Sequence, residues 1–279
     1  MYEPSQERLD ILKKIDEYER KRWFNKDVEN DPPTIPLTED KVDYLYEKPF
    51  SKFKMKFANL VARHHINNLL KFKRMIISEV RGIPNFKSVP GAAILTCNHF
   101  NAFDNFAVYK AIEKHLKNRE LYKVIREGNY TNFPGLYGWF FRNCNTLPLS
   151  SNFRVMKLFM NAIKVLLSRG EKILFYPEQG MWWNYQKPRP LEKGAFHFAA
   201  THNVPIIPIF ITMSDSCNFD GDGFLTQEYT VHILRPIYPK KELSIKENCE
   251  YLKNENYKMW VKVYEYFYGI PLEYLPQTK

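Results

Sequence analysis

Residues 92–117, AAILTCNHFNAFDNFAVYKAIEKHLK, join two structural patterns within one short stretch of chain. The apolar run 92–97 predicts a buried β-strand, and residues 104–117 predict the helix that follows it. Beyond this stretch, short apolar runs continue to alternate with helical patterns as far as residue 268. Such alternation is typical of an α/β protein, so we expect a central mixed sheet flanked by helices.

The other elements follow from the same patterns. Residues 152–170 place apolar side chains on one helical face and end in a glycine, which predicts a helix, and two more helices are expected at 191–203 and 244–268. Segment 214–224, SDSCNFDGDGF, lacks the regular spacing of oxygen ligands that a calcium loop needs, so we expect a hairpin turn there. Further strands are predicted at residues 121–127, 146–150, 172–177, 204–213 and 229–239.

Composition limits the class of protein. Of the 279 residues 44% are hydrophobic, enough for a large core, and no run of 18 apolar residues would cross a bilayer. The four cysteines are far apart and form no Cys-x-x-Cys pair, so we expect neither a disulfide scaffold nor a metal site, and a reduced, cytoplasmic compartment. The net charge of +10 favours a negative partner or surface, but charge alone does not choose between nucleic acid, anionic lipid and a phosphorylated cofactor.

The chain divides into three regions that differ in charge, and residues 1–47 form the first of them. It holds thirteen acidic and eight basic residues, a net charge of −5. We expect a charged, solvated arm that packs on the domain and contains a short helix near residues 5–24. A loop should follow, because Pro32, Pro33 and Pro36 exclude a helix.

The second region, residues 48–81, is predicted to be a basic amphipathic helix at a membrane surface, and residues 82–279 form the third region. Residues 48–74 contain eight lysines and arginines and no acidic residue. Apolar residues recur there at helical spacing, namely Phe50, Phe53, Phe57, Leu60 and Val61. A basic helix with such a stripe is typical of a membrane-surface element. Alternatively, the stripe packs on the core and only the lysines meet solvent.

A histidine and an aspartate follow the predicted strand 92–97. His99 and Asp104 are five positions apart, with Asp104 in the first turn of the expected helix. A histidine just before the helix can fold back toward this carboxylate, which would fix the imidazole tautomer and leave the other ring nitrogen basic. Such a base could remove a proton from a hydroxyl. No Gly-x-Ser-x-Gly elbow supplies a nucleophile, so we expect the substrate's hydroxyl to attack an activated acyl group directly.

Four blocks in order resemble the glycerolipid acyltransferases, which acylate lysophosphatidic acid and related acceptors. The resemblance extends over about residues 80–215. The blocks are NHFNAFD (98–104), GWFFRN (138–143), LFYPEQG (174–180) and VPIIPIFI (204–211). The third usually reads Phe-Pro-Glu-Gly followed by Thr-Arg-Ser, and the fourth is associated with binding the acyl chain. KGAFHFA (193–199) stands where the family has a Lys-Gly helix, which adds Lys193 to the expected substrate-binding residues.

This resemblance implies a reaction in which residues 82–279 form the catalytic domain. An acyl chain would pass from a thioester, either acyl-coenzyme A or acyl carrier protein, to a hydroxyl of a lysophospholipid such as 1-acylglycerol-3-phosphate. Both donors are anionic, which suits the net charge of +15 over residues 48–279. No metal, other cofactor or nucleic-acid partner is implied. The protein would be peripheral and monotopic, on the cytoplasmic face of an anionic membrane.

The resemblance also implies roles for individual residues. His99 would be the general base, oriented by Asp104, and Arg142 would be an electrostatic clamp for the acceptor. Glu178 would bind acceptor hydroxyls or brace its loop. The backbone N–H groups near Gln179 and Gly180, next to the expected acceptor site, would stabilise the oxyanion.

The third block departs from the family's pattern in a way that concerns the acceptor. Met181, Trp182 and Trp183 replace Thr-Arg-Ser, so the family's second arginine, taken to help hold the acceptor's phosphate, is absent. Either Arg189 substitutes from nearby, or the acceptor is a non-phosphorylated glycolipid or sugar that stacks on a tryptophan. A non-catalytic peripheral membrane or RNA-binding protein on the same fold is the alternative from another class.

Overall fold

The computed structural model describes residues 3–29 and 33–277 of the chain. Its helices are α1 (Gln6–Arg20), α2 (Pro49–Lys71), α3 (Ile83–Lys87), α4 (Asp104–Ile112), α5 (Glu127–Thr131), α6 (Gly135–Asn143), α7 (Phe153–Ser168), α8 (Gly194–His202) and α9 (Ile245–Tyr268). Its strands are β1 (Ile76–Arg81), β2 (Ala93–Thr96), β3 (Leu121–Ile125), β4 (Thr146–Pro148), β5 (Lys172–Phe175), β6 (Ile206–Phe219) and β7 (Leu225–Ile233).

These strands form one mixed sheet in the order β1-β7-β6-β2-β5-β3-β4. β2 lies between β6 and β5 and is parallel to both, and β3 and β4 continue the parallel half. β6 and β7 form an antiparallel hairpin whose turn is residues 220–224; residues 214–219, which were expected to belong to the turn, extend β6 instead. β1 pairs in parallel with β7. The predicted α/β class, with a mixed central sheet flanked by helices, is confirmed.

Both faces of the central strands are covered, which explains their continuous apolar sequences. Every residue of β2 and of β5 is buried. Because successive side chains of a strand point to opposite faces, Ile94 belongs to the same cluster as Phe159 of α7, whereas Leu95 belongs to the cluster with Val108 of α4. The sheet is thus enclosed between two hydrophobic layers.

A side chain fixes the point where β2 leaves the sheet. The amide of Asn98 donates to the carbonyl oxygen of Ile211 (3.0 Å) and accepts from the backbone N–H of Ile211 (2.8 Å). These two hydrogen bonds tie the side chain of Asn98 to the backbone of β6 just beyond the last residue of β2. The backbone turns out of the sheet here, and His99 follows directly.

The N-terminal arm is more closely integrated with the rest of the molecule than its charge suggests. The helix expected near residues 5–24 is α1, and its Ile11 and Ile15 pack in one cluster with Trp182 and Trp183. Later apolar residues of the arm, Leu37, Tyr44 and Tyr46, belong to the main core. Pro33 and Pro36 lie in non-helical chain, as expected, and Pro32 lies outside the described residues.

The second predicted region needs a correction at its end. α2 stops at Lys71, and residues 76–81, assigned by sequence to the same helical segment, are strand β1. The sheet therefore begins before residue 82, because the β-branched run around Ile76 and Ile77 extends the sheet beside β7. Within residues 3–29 and 33–277, no helix has the length and apolar character needed to cross a membrane.

Candidate active site

The candidate active site lies where two parallel neighbours, β2 and β5, end at the same edge of the sheet. The backbone N–H of Cys97 donates to the carbonyl oxygen of Phe175 (3.1 Å), so the two chains leave the sheet side by side. His99 lies on the first of these loops and Tyr176 on the second. Open α/β sheets bind ligands at the carboxyl ends of their strands, which makes this edge the natural place for chemistry.

His99 and Asp104 meet as the sequence predicts. His99 folds back so that its Nδ1 lies 2.7 Å from Oδ2 of Asp104, the first residue of α4. The aspartate is fully buried, whereas the histidine side chain is about a quarter exposed. An ionised carboxylate can only accept hydrogen bonds, so the proton of neutral His99 is assigned to Nδ1. Nε2 is then the basic nitrogen of the pair.

Tyr176 completes this pair, although sequence reasoning did not select it. Its hydroxyl donates to Oδ1 of Asp104 at 2.7 Å, and its ring stacks on the imidazole of His99 with centroids 4.1 Å apart and planes 24° from parallel. Burial, and then the negative charge of Asp104, raise the pKa of Tyr176 well above its ordinary value, so the phenol remains a donor. The available signal was the tyrosine at the position where the third block of the family usually has phenylalanine.

A buried ion pair braces the backbone around His99. Glu178 accepts from the backbone N–H of His99 (3.0 Å) and from the backbone N–H of Arg189 (2.7 Å), and it forms an ion pair with the guanidinium of Arg189 at 3.1 Å. Of its two expected roles, the structure shows the bracing one. Arg189 is itself only 1% exposed and also donates to the carbonyl oxygens of Phe24, His99 and Gly180. It is therefore enclosed by protein, contrary to its predicted use as an acceptor clamp.

The two tryptophans are also packing residues in this structure. Trp182 is fully buried, its ring stacks on Phe24, and its indole N–H donates to the carbonyl oxygen of Lys26 (2.8 Å). Trp183 is 6% exposed and packs between Phe224 and the guanidinium of Arg8. The N-terminal arm covers both rings, so neither presents a free face on which a sugar could stack.

The expected oxyanion donors are engaged elsewhere. The backbone N–H of Gln179 donates to the carbonyl oxygen of Tyr176 (3.0 Å), and that of Gly180 donates to the carbonyl oxygen of Glu178 (3.1 Å). Gln179 is exposed and adopts a left-handed conformation with φ of 67°. Gly180 is buried, and a Cβ added at this position would lie 2.9 Å from Oδ1 of Asp27. The arm thus fixes the shape of this loop, and neither N–H points to an empty oxyanion site.

Two predicted binding residues lie apart from the dyad that His99 and Asp104 form. Arg142 is exposed near the end of α6, and its guanidinium donates to the carbonyl oxygens of Tyr130 and Phe133, both at 3.3 Å. Among the described residues it makes no hydrogen bond or ion pair with the loops that carry His99 and Glu178. Lys193 is exposed next to α8 and pairs with Glu250 of α9 at 2.6 Å. The structure does not bring either cation into contact with His99.

The described parts of the chain hold no group of three or more His, Cys, Asp or Glu side chains arranged to bind a metal ion. The buried carboxylate of Asp104, the neutral imidazole of His99 and the stacked phenol of Tyr176 together form an arrangement that can accept a proton. A hydroxyl that reached Nε2 of His99 could be deprotonated there.

Comparisons with known proteins point to one family. A family model described as Acyltransferase matches residues 77–212, which include the dyad and the third and fourth blocks. The chloroplastic 1-acyl-sn-glycerol-3-phosphate acyltransferase BAT2 of Brassica napus is 24% identical over 200 residues, which are 69% of this chain and 54% of that protein. The chain therefore spans about half the length of this curated relative.

A solved structure shares the fold. The crystal structure of the 1-acyl-sn-glycerophosphate (LPA) acyltransferase PlsC from Thermotoga maritima superposes with a TM-score of 0.52, covering 80% of this chain and 83% of that one. The two sequences are 17% identical, so this similarity concerns the arrangement of helices and strands.

Proposed function

Since residues 77–212 match the family model described as Acyltransferase, we propose that this protein is an acyltransferase that transfers an acyl chain from a thioester to a hydroxyl of a lysophospholipid. The observation that carries the proposal is the His99–Asp104 pair, with a 2.7 Å bond at the edge of the sheet where ligands bind. The Brassica napus relative is named for 1-acyl-sn-glycerol-3-phosphate, which supports that compound as the acceptor.

The proposed reaction is a direct transfer. Nε2 of neutral His99 takes the proton of the acceptor hydroxyl as the hydroxyl oxygen forms a bond to the thioester carbonyl carbon. The tetrahedral intermediate then collapses, the carbon–sulfur bond breaks, and the leaving sulfur takes the proton from Nε2. The products are an ester and a free thiol, and His99 is neutral again. Asp104 stays ionised throughout and holds the Nδ1–H.

The contacts of the aromatic and basic residues favour the lysophospholipid over a glycolipid acceptor. A sugar would need an aromatic face, but Trp182 and Trp183 are covered by the arm. Arg189 is enclosed with Glu178, so the exposed Arg142 is the better candidate for the acceptor's phosphate. The donor is acyl-coenzyme A or acyl carrier protein, which the basic part of the chain would attract.

We further propose that α2 places the protein on the cytoplasmic face of an anionic membrane, where its lipid acceptor resides. Four apolar side chains of α2 are more than half exposed, namely Phe50, Phe53, Phe57 and Leu60. The alternating residues Lys52, Lys54 and Lys56 are exposed as well, and acidic residues are absent from the helix. Exposed aromatics beside lysines suit insertion into an interface with anionic headgroups. Val61 is partly buried against Phe140 and Cys144, so the stripe ends on the protein itself.

An acceptor screen tests this function. Purified protein is mixed with one labelled acyl chain, carried on coenzyme A or on acyl carrier protein, and with lysophosphatidic acid, monoacylglycerol or a glycolipid in mixed vesicles. We expect a labelled diacyl product with lysophosphatidic acid and release of one thiol for each ester formed. Acylation of the glycolipid alone would make the acceptor assignment wrong. No thioester consumption with any acceptor would favour a non-catalytic membrane or RNA-binding protein.

A further inference from the structure

Tyr176 connects to both members of the dyad at once. Its hydroxyl is 2.7 Å from Oδ1 of Asp104, while Nδ1 of His99 is 2.7 Å from Oδ2. The two oxygens of one buried carboxylate are therefore divided between a phenol and an imidazole. In addition, the phenol ring lies against the imidazole ring at 4.1 Å. A residue with only a packing role would need the ring contact but not the hydroxyl bond.

We propose that the hydroxyl of Tyr176 is a positioning group that sets both the orientation of Asp104 and the proton affinity of His99. By holding Oδ1, it prevents the carboxylate from rotating about its last bond and keeps Oδ2 directed at Nδ1. By donating to the carboxylate, it also draws negative charge away from Oδ2. The positively charged imidazole is then stabilised less than it would be beside a carboxylate without this bond. This role rests on the proposed transfer reaction, in which the free base is the active form.

Other contacts of Asp104 cannot replace this bond. The remaining donors to the carboxylate, the backbone N–H groups of Phe100 and Asn101, lie 3.3 and 3.4 Å away, and both approach Oδ2. Among the described residues, Tyr176 is thus the hydrogen-bond donor to Oδ1. Among the residues that the structure describes, the charged or titratable groups that act on His99 or Asp104 are Tyr176, Glu178, Arg189, Cys97 and Tyr229. Glu178 and Arg189 form a pair with opposite charges, so their joint effect on the imidazole is small beside that of Asp104.

The first test follows the protonation of His99 without substrate. Histidine is labelled with ¹³C at Cε1, the His99 signal is assigned by its loss in His99→Gln, and its titration is compared between wild type and Tyr176→Phe. The variant keeps the ring stack and removes the hydroxyl, so we expect the midpoint to move to higher pH. Site-specific 3-fluorotyrosine at position 176 is a stronger donor of nearly the same shape, and it should move the midpoint to lower pH.

Tyr44→Phe is the matched control. Its hydroxyl also makes a buried 2.7 Å hydrogen bond, but to the carbonyl oxygen of Pro148 and away from the dyad. This variant should lose thermal stability comparable to Tyr176→Phe, yet leave the His99 titration unchanged. The same midpoint in wild type, Tyr176→Phe and the fluorotyrosine protein would overturn the proposal, as would an equal shift in Tyr44→Phe.

The second test is kinetic and depends on the proposed function. Because a misplacement of about 1 Å can cost about 100-fold in rate, and the dyad should move less than that, we expect kcat of Tyr176→Phe to fall roughly tenfold. KM for the acceptor should be unchanged, and the acidic limb of the pH–rate profile should move to higher pH. If wild type transfers no acyl group, the proposed function fails, while the titration still decides the role of Tyr176. A changed KM for the acceptor together with an unchanged acidic limb of the pH–rate profile would contradict the positioning role of Tyr176.

Discussion

The buried pair of Glu178 and Arg189 shows how strongly single residues are determined around the site. Glu178 accepts hydrogen bonds from two backbone N–H groups besides the guanidinium, and Arg189 donates to three backbone carbonyls. These bonds compensate for removing both charges from water. Either residue alone would be a buried charge without its partner, which is the costly case.

Arg189→Met should therefore destabilise the whole protein. We expect its free energy of unfolding to fall by about 3–5 kcal/mol, because Glu178 keeps a buried charge without its partner. The measurement is urea unfolding, and Arg154→Met is the control. Arg154 is 80% exposed at 3.6 Å from Glu39, so its loss should change stability by about 1 kcal/mol or less. Normal stability of Arg189→Met with a raised KM for lysophosphatidic acid would instead make Arg189 the acceptor clamp.

Arg142 is the cation that remains exposed for an acceptor phosphate. Arg142→Ala should raise KM for lysophosphatidic acid and leave KM for a monoacylglycerol nearly unchanged, because only the first acceptor carries a phosphate. Losing one charged contact costs about 2–5 kcal/mol when its partner stays buried, and less where water enters, as at this exposed site. The measurement is a pair of acceptor titrations at saturating thioester, with Arg154→Ala as control. Equal changes for both acceptors would show that Arg142 does not recognise the phosphate.

At the scale of elements, α2 differs from the helices that cover the sheet. Met55, Ala58, Ile66 and Leu69 face the protein, and the phenylalanines near the start of the helix face outward. α2 thus buries one apolar face while presenting a second one. We interpret the second face as the membrane surface of the protein.

Replacing Phe50, Phe53 and Phe57 by Ser should weaken sedimentation with anionic vesicles at both low and high salt, because apolar insertion is not screened. Replacing Lys52, Lys54 and Lys56 by Gln should weaken it mainly at low salt, because salt screens exposed charges beyond about 10 Å at 0.1 M. Tyr266→Ser, at an 82% exposed aromatic of α9, is the control and should bind normally. If both triple variants sediment like wild type, α2 is not the membrane surface.

Several elements could be predicted because one local pattern was sufficient to determine each. The apolar run before His99 became β2, Asn152 caps α7, and Ser244 forms a capping box at the start of α9. β1 was missed because its apolar residues directly follow a basic helix and its partner, β7, lies about 150 residues later in the chain. The pairing of His99 with Asp104 was predictable from spacing, whereas the contacts of Tyr176 and Arg189 needed the three-dimensional fold.

At the scale of the whole molecule, the arm is the main difference from what the sequence suggested. The sequence favoured a solvated arm that packs on the domain. In the structure, apolar residues of the arm are buried against Trp182 and Trp183, and Asp27 lies against Gly180. Those contacts join residues more than 150 positions apart, so no local pattern reports them. Their effect is to enclose Trp182 and Trp183, which the departure from the family pattern had suggested as stacking surfaces for the acceptor.

The stability of the molecule should also depend on pH through His232. Burial, and then the charge of Arg81, lower the pKa of His232 to about 4, and its Nε2 lies 2.9 Å from the hydroxyl of Thr212. The unfolded chain binds this proton near pH 6.5 and the folded chain only near pH 4, so stability should fall as pH drops through that interval. His202 and His65, whose pKa values burial also lowers, act in the same direction.

His232→Gln removes this titration and should flatten the fall in the free energy of unfolding between pH 6.5 and 4, measured by urea unfolding at several pH values. Glu250, whose pKa the hydrogen bond from Lys193 lowers to about 2, contributes only below about pH 4.5 and leaves most of that interval unaffected. An equally steep fall in wild type and variant would assign the acid sensitivity to other groups.

The central claim is that His99 is the base of an acyl transfer, and its most direct test is the turnover of His99→Ala with an acyl thioester and lysophosphatidic acid. The variant should fold normally by circular dichroism, because the side chain of His99 is partly exposed. Its turnover should fall about 10²–10⁴-fold, as expected for the loss of a general base. His197→Ala, at an exposed position of α8, should retain full activity. Near wild-type turnover in His99→Ala would contradict the claim.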